Sequence, residues 1–399
     1  MHRSETFRLG LEVALDEPPP SLRRARRIGL LLNQASVDAR FALAHELFAE
    51  RFGGRLAALF GPQHGLWSEQ QDNMIETAHA TDRRLGIPCF SLYSERREPT
   101  PEMLRGLDLL VVDLQDVGTR IYTYIWTLLL AMRACARAKL PVLVLDRPNP
   151  LGGEVVEGPV LEPRFASFVG LLPIPMRHAL TIGEIARWFV RHESLELELD
   201  VVPMRGWSRS MLWSDLGRVW VPTSPNLPRF EGVLVYPGQV LLEGTSLSEG
   251  RGTTTPFEIC GAPALDGHAL REAMVARCGL EGFALRPLRF EPTFQKHVGR
   301  SCGGVFLHML DPRTARSYRA SLSLLAAARA LLPQEPLWRP PPYEYEATHM
   351  PIDILSGGDD LRTTVDRGAA PADLDRLAAV DVAAWWREVD EALIYPRVT

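Results

Sequence analysis

Residues 107–124 read Leu107-Asp-Leu-Leu-Val-Val-Asp-Leu-Gln-Asp-Val-Gly-Thr-Arg-Ile-Tyr-Thr-Tyr124. The stretch begins as an apolar run whose β-branched centre is typical of a strand buried on both faces. It ends in Asp, Gln, Asp, Gly, Thr and Arg, which suit an exposed catalytic loop, and a long apolar helix follows directly. Because ligands bind at the carboxyl ends of strands in open α/β sheets, this polar end predicts part of a functional site.

Further apolar segments predict a series of strands around this one. Strands are expected over residues 27–33, 56–60, 88–93, 141–145 and 197–202, and helices over residues 41–51 and 181–190. The second helix opens with Thr181 and Glu184, the spacing of a capping box. Strands that alternate with helices predict an α/β fold built on a Rossmann-like, doubly wound parallel sheet with right-handed crossovers.

Four successive predicted strands, starting with residues 56–60, end in polar loops rich in glycine and proline. The carboxyl ends of parallel strands meet at one edge of a sheet, so these loops should line one crevice.

The length of the chain and a proline-rich segment predict a second domain. A chain of 399 residues exceeds what one hydrophobic core usually supports. Residues 220–228 are rich in proline and break both the strand and the helix period. We therefore expect a Rossmann-like domain over residues 1–229 and a smaller C-terminal α/β domain over residues 230–399, with a long helix within residues 315–332.

Composition restricts the class of protein. The apolar content of 46% and the charged content of 23% are those of an ordinary globular protein. A net charge of −5 and a pI near 6.1 give no electrostatic reason to expect nucleic acid or an anionic membrane as a partner. The longest apolar run, residues 121–132, is too short to span a bilayer.

The cysteines and the N-terminus bear on the compartment. The five cysteines are widely scattered and form no Cys-x-x-Cys pair, which argues against a disulfide framework and against a zinc site. The first residues lack the basic start and the continuous apolar core of a signal peptide. Cytoplasmic residence is the expectation, and export stays an alternative.

Several motifs are missing from the sequence. No Gly-x-Gly-x-x-Gly follows the first predicted strand and no phosphate-binding loop occurs, so a nucleotide-dependent enzyme is unsupported. The motifs of serine hydrolases, zinc proteases and calcium-binding modules are also missing.

The loop after residues 56–60 holds the first candidate cluster. His64 lies between a strand and Gly65, with Gln63 before it and Glu69 and Asp72 after it. One interpretation is a substrate-facing loop with a histidine that transfers protons. The other is a turn in which the histidine caps a backbone group.

A second cluster ends the stretch at 107–124. Asp116 and Arg120 could contact substrate directly or form a buried ion pair that holds the loop. Tyr122 and Tyr124 could form a wall on which a sugar ring stacks, or belong to the core. Residues two apart do not face the same side of a helix, so one of these tyrosines is expected to be structural.

Arginines in the predicted loops favour an anionic substrate. Asp146-Arg-Pro-Asn149 places an acid beside an arginine at a strand end, and Asn149 completes the polar segment. Arginine binds a carboxylate or phosphate through two parallel hydrogen bonds, and the candidates are Arg120, Arg147 and Arg251.

The second domain contributes further carboxylates. Glu243 and Glu249, with Arg251, are embedded in glycine and hydroxyl residues. Glycine lets the backbone approach a ligand closely, and a glutamate held there could serve as acid or base. The alternative is a turn with solvated charge. His178, beside apolar residues, is expected to be structural.

A set of short motifs in one order resembles the exo-β-N-acetylmuramidase NamZ family. They are Phe60-Gly-Pro-Gln-His-Gly65, Ser91-Leu-Tyr93, Asp113-Leu-Gln-Asp-Val-Gly118, Tyr122-Thr-Tyr124, Asp146-Arg-Pro-Asn-Pro150, Ser224-Pro-Asn226, Glu243-Gly-Thr245, Ser248-Glu-Gly-Arg-Gly252, Tyr343-Glu-Tyr345 and Pro351-Ile-Asp353. The resemblance covers nearly the whole chain.

The resemblance implies a Rossmann-like N-terminal domain with the active site, a smaller domain that closes over it, and no metal or organic cofactor. It implies release of N-acetylmuramic acid from the non-reducing end of peptidoglycan-derived saccharides or muropeptides. The lactyl carboxylate of that sugar would be the ligand of the three arginines.

One position departs from the family pattern. Many members carry Glu where this chain has Gln63, and that Glu is a leading candidate for the catalytic acid. Glutamine cannot donate and recover a proton as a carboxylic acid does. Glu69, Asp72 or another carboxylate would then supply the acid, or the chain has changed specificity or lost activity.

We therefore hypothesise a glycoside hydrolase in which two carboxyl groups flank the scissile bond. Glu69 or Glu249 is the expected acid, Asp116 the second carboxylate or its organiser, and His64 a proton relay. The distance between the carboxylates, which sets the stereochemistry, does not follow from sequence. The alternative function is a non-catalytic binder of muropeptides or related anionic glycans.

Overall fold

The computed structural model describes residues 6–71 and 75–397. Its strands are β1 (Ile28–Leu32), β2 (Leu56–Gly61), β3 (Ala80–Thr81), β4 (Pro88–Ser91), β5 (Leu109–Asp113), β6 (Val142–Leu145), β7 (Glu157–Val160), β8 (Pro175–Arg177), β9 (Leu199–Val202), β10 (Ile259–Ala262), β11 (Phe283–Phe290) and β12 (Cys302–Met309). Its α-helices are α1 (Gly10–Asp16), α2 (Pro20–Arg24), α3 (Ala44–Phe52), α4 (Pro101–Leu104), α5 (Tyr124–Ala138), α6 (Ile182–His192), α7 (Phe230–Gln239), α8 (Gly267–Val275), α9 (Ser317–Leu331), α10 (Pro351–Ser356), α11 (Asp360–Asp366), α12 (Pro371–Ala378) and α13 (Val382–Val389).

The central sheet has the predicted doubly wound topology. Its strand order is β3-β4-β2-β1-β5-β6-β9, and all neighbours from β4 to β9 are parallel. Numbered by their place in the chain, the parallel strands follow the order third, second, first, fourth, fifth, sixth of a Rossmann-like sheet. The short antiparallel edge strand β3 was not predicted, because two exposed residues give no apolar signal.

The strand and the helix of the segment that follows Gly106 form as predicted, but the loop between them, expected to be exposed, is buried because side chains such as Asp116 and Arg120 bind internal partners. Every residue of β5 is buried, and α5 begins at Tyr124. Helix α5 packs its apolar side chains, among them the fully buried Trp126, into the main core. Each such side chain stabilises the fold by roughly 1.5–3 kcal/mol. Within the described part of the chain, no helix is long and apolar enough to cross a membrane.

The start of α6 confirms the predicted capping box. Thr181 Oγ1 accepts a hydrogen bond from the Glu184 N–H over 3.2 Å, and Glu184 Oε2 accepts one from the Thr181 N–H over 3.1 Å. This reciprocal pair satisfies two amide groups that the first helical turn leaves without partners.

A smaller α/β unit follows α7. Its antiparallel sheet has the order β10-β12-β11, and α8 and α9 pack against each other. The division between residues 229 and 230 stays a prediction; helix α7 begins at Phe230. The last described residues return to the first domain, where Trp385 Nε1 donates to the carbonyl oxygen of His178 over 2.9 Å.

Candidate active site

A pocket lies where the carboxyl ends of β2 and β5 face the smaller unit, and we call it the inner pocket. One wall comes from residues 63–64, 121–124 and 224–227. The opposite wall is formed by Tyr236, Glu243, Arg251, Tyr343 and Glu344. The loop after β4 reaches the pocket through a contact with Glu344, whereas the loop after β6 does not line it. Three of the four predicted strand ends therefore meet.

Gln63 and His64 enter the inner pocket from the loop after β2. Thr123 Oγ1 donates to Gln63 Oε1 over 2.7 Å, which turns the amide NH₂ toward Glu344, and the two side chains form a hydrogen bond. His64 has a φ of +73°, and its Nδ1 lies 2.9 Å from the carbonyl oxygen of Gln70. In the neutral ring this contact places the proton on Nδ1 and makes Nε2 an acceptor.

Glu344 enters the pocket from a tight turn at residues 343–346. The N–H groups of Tyr343 and Glu346 each donate to the other's carbonyl oxygen over 2.9 Å. Glu344 has a φ of 45° and Tyr345 a φ of 67°. Residues other than glycine rarely adopt this backbone conformation, and each residue that does so costs the fold about 1–3 kcal/mol of stability. Strain held at this point indicates a functional constraint on the Glu344 carboxyl group.

Burial raises the pKa of Glu344 to about 7, and the charge of Glu243 adds to the effect. Hydrogen bonds from Tyr93 and Gln63 act in the opposite direction because they stabilise the carboxylate. The Tyr93 hydroxyl donates to Glu344 Oε2 over 2.9 Å. A carboxyl group that titrates near pH 7 suits general acid catalysis, since a large fraction is protonated at neutral pH.

Glu344 was missed by the sequence reasoning. The segment Tyr343-Glu-Tyr345 entered the family resemblance, but no role was given to its glutamate. A usable signal was a carboxylate set between two aromatic residues after a proline-rich segment.

A series of ion pairs and hydrogen bonds runs along the opposite wall of the inner pocket. Arg251 donates to Glu243 Oε1 over 2.7 Å and to Glu249 Oε1 over 2.9 Å. Glu243 Oε2 accepts from the Tyr343 hydroxyl over 2.6 Å, and Glu249 Oε2 accepts from Lys296 Nζ over 2.8 Å. All of these groups are largely buried, so the pairing offsets a desolvation cost that each would otherwise bear.

Glu249 is placed as a structural anion. Burial by itself would raise the pKa of Glu249, but the charges of Lys296 and Arg251 outweigh burial and lower it to about 2. Glu249 does not line the inner pocket. A carboxylate this strongly ionised holds no proton to donate, which does not favour the acid role expected for it.

Tyr122 and Tyr124 both line the inner pocket, with ring centroids 4.6 Å apart. The expectation that the two tyrosines face different sides of a helix is wrong, because Tyr122 precedes α5 and helical spacing does not apply to it. Tyr124 donates to the carbonyl oxygen of Thr223 over 2.7 Å. The buried Tyr122 hydroxyl makes no hydrogen bond of normal geometry within the described residues.

Arg120 lies outside the inner pocket. Its guanidinium is fully buried and donates to the carbonyl oxygens of Pro159, Ile174 and Leu355 over 2.8, 3.1 and 2.9 Å. Burial lowers the pKa of Arg120 to about 10. The expected contacts of Arg120 with substrate or with Asp116 do not form, because three backbone acceptors hold it behind the site.

Asp116 organises the loop after β5. Its Oδ2 accepts from the Gly118 N–H over 2.7 Å and lies 3.7 Å from His178 Nε2. Asp116 does not line the inner pocket. Burial is the main cause that raises the pKa of Tyr124, and the charge of Asp116 adds to it. His178 Nδ1 accepts from the Leu180 N–H over 3.2 Å, the structural role expected of it.

The loop after β6 is structural. Arg147 forms two hydrogen bonds with Asp113, of 2.6 and 2.8 Å, and both side chains are buried. Asp146 accepts from the Tyr395 hydroxyl over 2.6 Å. Asn149 Nδ2 donates to the backbone over 3.0 Å. The expected substrate contacts of Asp146, Arg147 and Asn149 are therefore replaced by internal partners.

The two remaining carboxylate candidates lie in the loop after β2. Glu69 is exposed and is not a residue of the inner pocket; its carboxylate lies beside Gly65. Asp72 lies outside the described residues. Among the described residues, no group of three or more His, Cys, Asp or Glu side chains is placed to hold a metal ion.

Comparison with known families decides where the chain belongs. The model of the N-terminal domain of exo-β-N-acetylmuramidase NamZ matches residues 28–231, and the model of its C-terminal domain matches residues 234–395. The chain belongs to the NamZ family. The peptidoglycan β-N-acetylmuramidase NamZ of Bacillus subtilis strain 168 is 40% identical over 361 residues, which cover 90% of this chain and 84% of that relative.

Two solved structures share the fold. A DUF1343 family protein from Bacteroides fragilis has a TM-score of 0.85 at 30% identity, and a second from the same organism has 0.76 at 27% identity. Each match covers 98% of this chain and 99% of the solved chain. The predicted fold class, a Rossmann-like sheet with a smaller α/β unit, is confirmed.

Proposed function

We propose that this NamZ family member is an exo-β-N-acetylmuramidase that releases N-acetylmuramic acid from the non-reducing end of peptidoglycan fragments. The Bacillus subtilis relative is named for hydrolysis of peptidoglycan at β-N-acetylmuraminyl bonds. The observation that supports the activity in this chain is Glu344, a buried carboxyl group in the inner pocket whose pKa is about 7.

The pocket pairs this acid with a carboxyl group that contacts an arginine. Glu243 accepts hydrogen bonds from Arg251 and Tyr343, while Glu344 accepts hydrogen bonds from the neutral side chains of Tyr93 and Gln63. Environments that separate the protonation states of two neighbouring carboxyl groups assign one as acid and the other as base or electrostatic stabiliser. We assign Glu344 as the proton donor and Glu243 as the second carboxylate.

The reaction follows from these assignments. Glu344 gives its proton to the glycosidic oxygen as the bond between that oxygen and C1 breaks. The Glu243 carboxylate stabilises the positive charge that develops at C1. A water molecule supplies the new C1–O bond, and its released proton restores Glu344. Gln63 does not transfer a proton in this scheme; its NH₂ group orients Glu344.

The lactyl carboxylate of the substrate has one arginine in reach. Of the three candidates, Arg251 lines the inner pocket, where it also pairs with Glu243 and Glu249, whereas Arg120 and Arg147 lie outside that pocket. We assign Arg251 to the substrate carboxylate, and Tyr122 and His64 Nε2 to its neutral polar groups. Residues 1–229 would form the floor of the site, and residues 230–399 would close the cleft and supply Glu243, Arg251 and Glu344, so the catalytic carboxylates come from the smaller domain and not from the one expected to carry them.

We also propose a place in cell-wall recycling within the cytoplasm, with released wall fragments as substrates. All five cysteines are free thiols, and Cys278 is exposed. Free exposed thiols fit a reducing compartment. Fractionation of the producing cell followed by detection of the protein tests this; recovery only outside the cytoplasm would contradict it.

The first prediction concerns the acid. Glu344→Gln should lower kcat for a β-linked disaccharide of N-acetylmuramic acid and N-acetylglucosamine by about 10²- to 10⁴-fold, because the amide cannot donate the proton. The corresponding β-muraminyl fluoride, whose leaving group needs no proton, should lose much less. Initial rates with both substrates measure the difference.

Two further variants separate the alternatives for the acid. Glu69→Gln should retain activity on the disaccharide, and Glu231→Gln, on the exposed start of α7, serves as the surface control. A loss confined to Glu69→Gln would return the acid role to the loop after β2. Tight binding of the disaccharide by the unmodified protein without any turnover would show a binder instead of an enzyme.

A further inference from the structure

A second concavity adjoins the inner pocket, and we call it the outer groove. It is lined by Glu76, Arg97, Phe168, Glu344, Tyr345 and Glu346. Among the described residues, Glu344 is the one that lines both the inner pocket and the outer groove.

We propose that the outer groove binds the sugar on the leaving side of the scissile bond, and that its ligand is a neutral hexosamine ring stacked on Tyr345. This inference rests on the proposed glycosidase function. It adds a second sugar-binding site to the pocket that takes the terminal sugar.

The position of Glu344 supports this arrangement. A general acid must reach the glycosidic oxygen, and that oxygen joins two sugar rings. If the released sugar occupies the inner pocket, the other ring lies on the far side of Glu344. The outer groove is the concavity on that side, because Glu344 forms part of its wall.

The groove contains an ordered aromatic platform. The Arg97 guanidinium lies 4.1 Å from the Tyr93 ring centroid and 4.3 Å from the Tyr345 ring centroid. Tyr93 also packs against Phe168, with 5.8 Å between ring centroids. The stack orders Tyr345 although 56% of its surface is exposed. Rigid, exposed aromatic rings provide contact area at a low entropic cost.

The backbone supports a functional reason for this tyrosine. Tyr345 adopts a φ of 67°, a region where glycine is favoured. Because most of the Tyr345 side chain is exposed, its packing adds little to the stability of the fold, while its backbone conformation costs stability. A ligand that packs on the exposed ring would add the contact area that the fold does not supply.

The charge of the groove restricts its ligand. Glu76, Glu95 and Glu346 line it, and Arg97 is the one cation among the residues described there. Hydrogen bonds from Thr348 lower the pKa of Glu346 to about 2, so Glu346 is ionised at neutral pH. Excess negative charge disfavours a leaving sugar with its own carboxylate and favours a neutral one.

The experiment compares two substrates that differ on the leaving side. One is the disaccharide of N-acetylmuramic acid and N-acetylglucosamine, and the other is methyl β-N-acetylmuraminide, which has no second ring. Tyr345→Ala should lower kcat/KM for the disaccharide by about tenfold and lower the ratio of disaccharide to methyl glycoside by a similar factor. Thermal unfolding checks that the variant folds.

Phe41→Ala is the matched control. Phe41 is 54% exposed and has a φ of 63°, so it resembles Tyr345 in exposure and backbone geometry, and it lies in neither concavity. The substrate ratio of this control should equal that of the unmodified protein. An unchanged ratio in Tyr345→Ala, or an equal loss on both substrates, would overturn the outer-groove assignment.

A second variant tests the effect of charge in the outer groove and leaves the turn at residues 343–346 unchanged. Glu95 is exposed, and Glu95→Lys should raise cleavage of a disaccharide with an acidic leaving sugar several-fold relative to the neutral one. No change in that preference would contradict the proposed ligand class. If the unmodified protein cleaves neither the disaccharide nor the methyl glycoside, the proposed function itself fails.

Discussion

At the scale of single residues, the site depends on how two neighbouring carboxyl groups influence each other. Glu344 and Glu243 lie close enough for the charge of one to raise the pKa of the other. Arg251 donates a hydrogen bond to Glu243, while burial favours the neutral form of Glu344. The pair resembles other carboxylate pairs in which environment assigns two roles to one kind of side chain.

Tyr93→Phe should shift the pH dependence of catalysis. The Tyr93 hydroxyl stabilises ionised Glu344, so its removal should raise the Glu344 pKa above about 7. The acid acts when protonated, and activity falls as pH rises through that pKa. The alkaline limb of the kcat/KM profile should therefore move to higher pH by about half to one pH unit. A limb that stays in place or moves lower would contradict Glu344 as the acid.

At the scale of elements, a loop and a turn from the smaller unit bring charge to the inner pocket. The loop at residues 242–252 is held by Lys296, whose Nζ donates to the carbonyl oxygens of Leu242 and Leu247 and to Glu249. The turn at residues 343–346 presents Glu344 and Tyr345 to two concavities. Glu243 lies near the end of a short 3-10 helix, Val240–Gly244, and the rest of both elements is neither helix nor strand, so the precision of the site depends on these contacts.

Lys296→Met should destabilise the fold. Glu249 would lose one of its two cations while buried, at a cost of about 3–5 kcal/mol in free energy of unfolding. Urea denaturation measures this loss. Lys139→Met, at the other lysine of the chain, is the control because Lys139 is exposed. Equal stability of both variants would show that Lys296 does not support the loop.

The same pair predicts an acid dependence. The folded pKa of Glu249, about 2, lies below its usual value of 4.5. Its stabilising contribution is therefore present above pH 4.5 and is lost as pH falls from 4.5 toward 2. In Lys296→Met this acid-induced loss should be smaller, as urea midpoints at pH 7 and pH 3 would show.

At the scale of the whole molecule, the chain end ties the smaller unit back to the Rossmann-like sheet. The Tyr395 hydroxyl donates to Asp146 Oδ2 over 2.6 Å and accepts from the Met204 N–H over 2.8 Å. Glu184, paired with Arg209, accepts from the N–H groups of Ile394 and Tyr395 over 3.0 and 3.3 Å. These contacts lie at the end of β6, away from the inner pocket.

Tyr395→Phe should lower stability and leave catalysis unchanged. The variant removes a donor from the buried Asp146 carboxyl group and an acceptor from Met204, at a cost of about 1–3 kcal/mol. The urea midpoint should fall, while kcat/KM for the disaccharide should stay within about twofold. Activity that falls without a change in stability would show a coupling between the chain end and the site.

Much of the fold was predictable from local patterns. Apolar runs such as residues 109–113 mark strands that are buried on both faces. Thr181 and Glu184 mark the start of α6 because their side chains bond to each other's backbone N–H groups across three positions. The polar ends of β2 and β5 predicted the site because parallel strands bring their carboxyl ends to one edge. Gln63, His64, Tyr122 and Tyr124 meet in the inner pocket on that basis, whereas Glu243 and Arg251 reach it from the smaller unit.

The tertiary structure decided which partner each charged side chain takes. Arg120, Arg147 and Arg251 look alike in sequence, yet backbone carbonyls, Asp113 and two glutamates respectively surround them. Glu344 reaches Tyr93 and Gln63 across most of the chain, and burial there raises its pKa. Local order along the chain encodes strands and turns, whereas protonation and pairing depend on distances in space between segments that no sequence period connects.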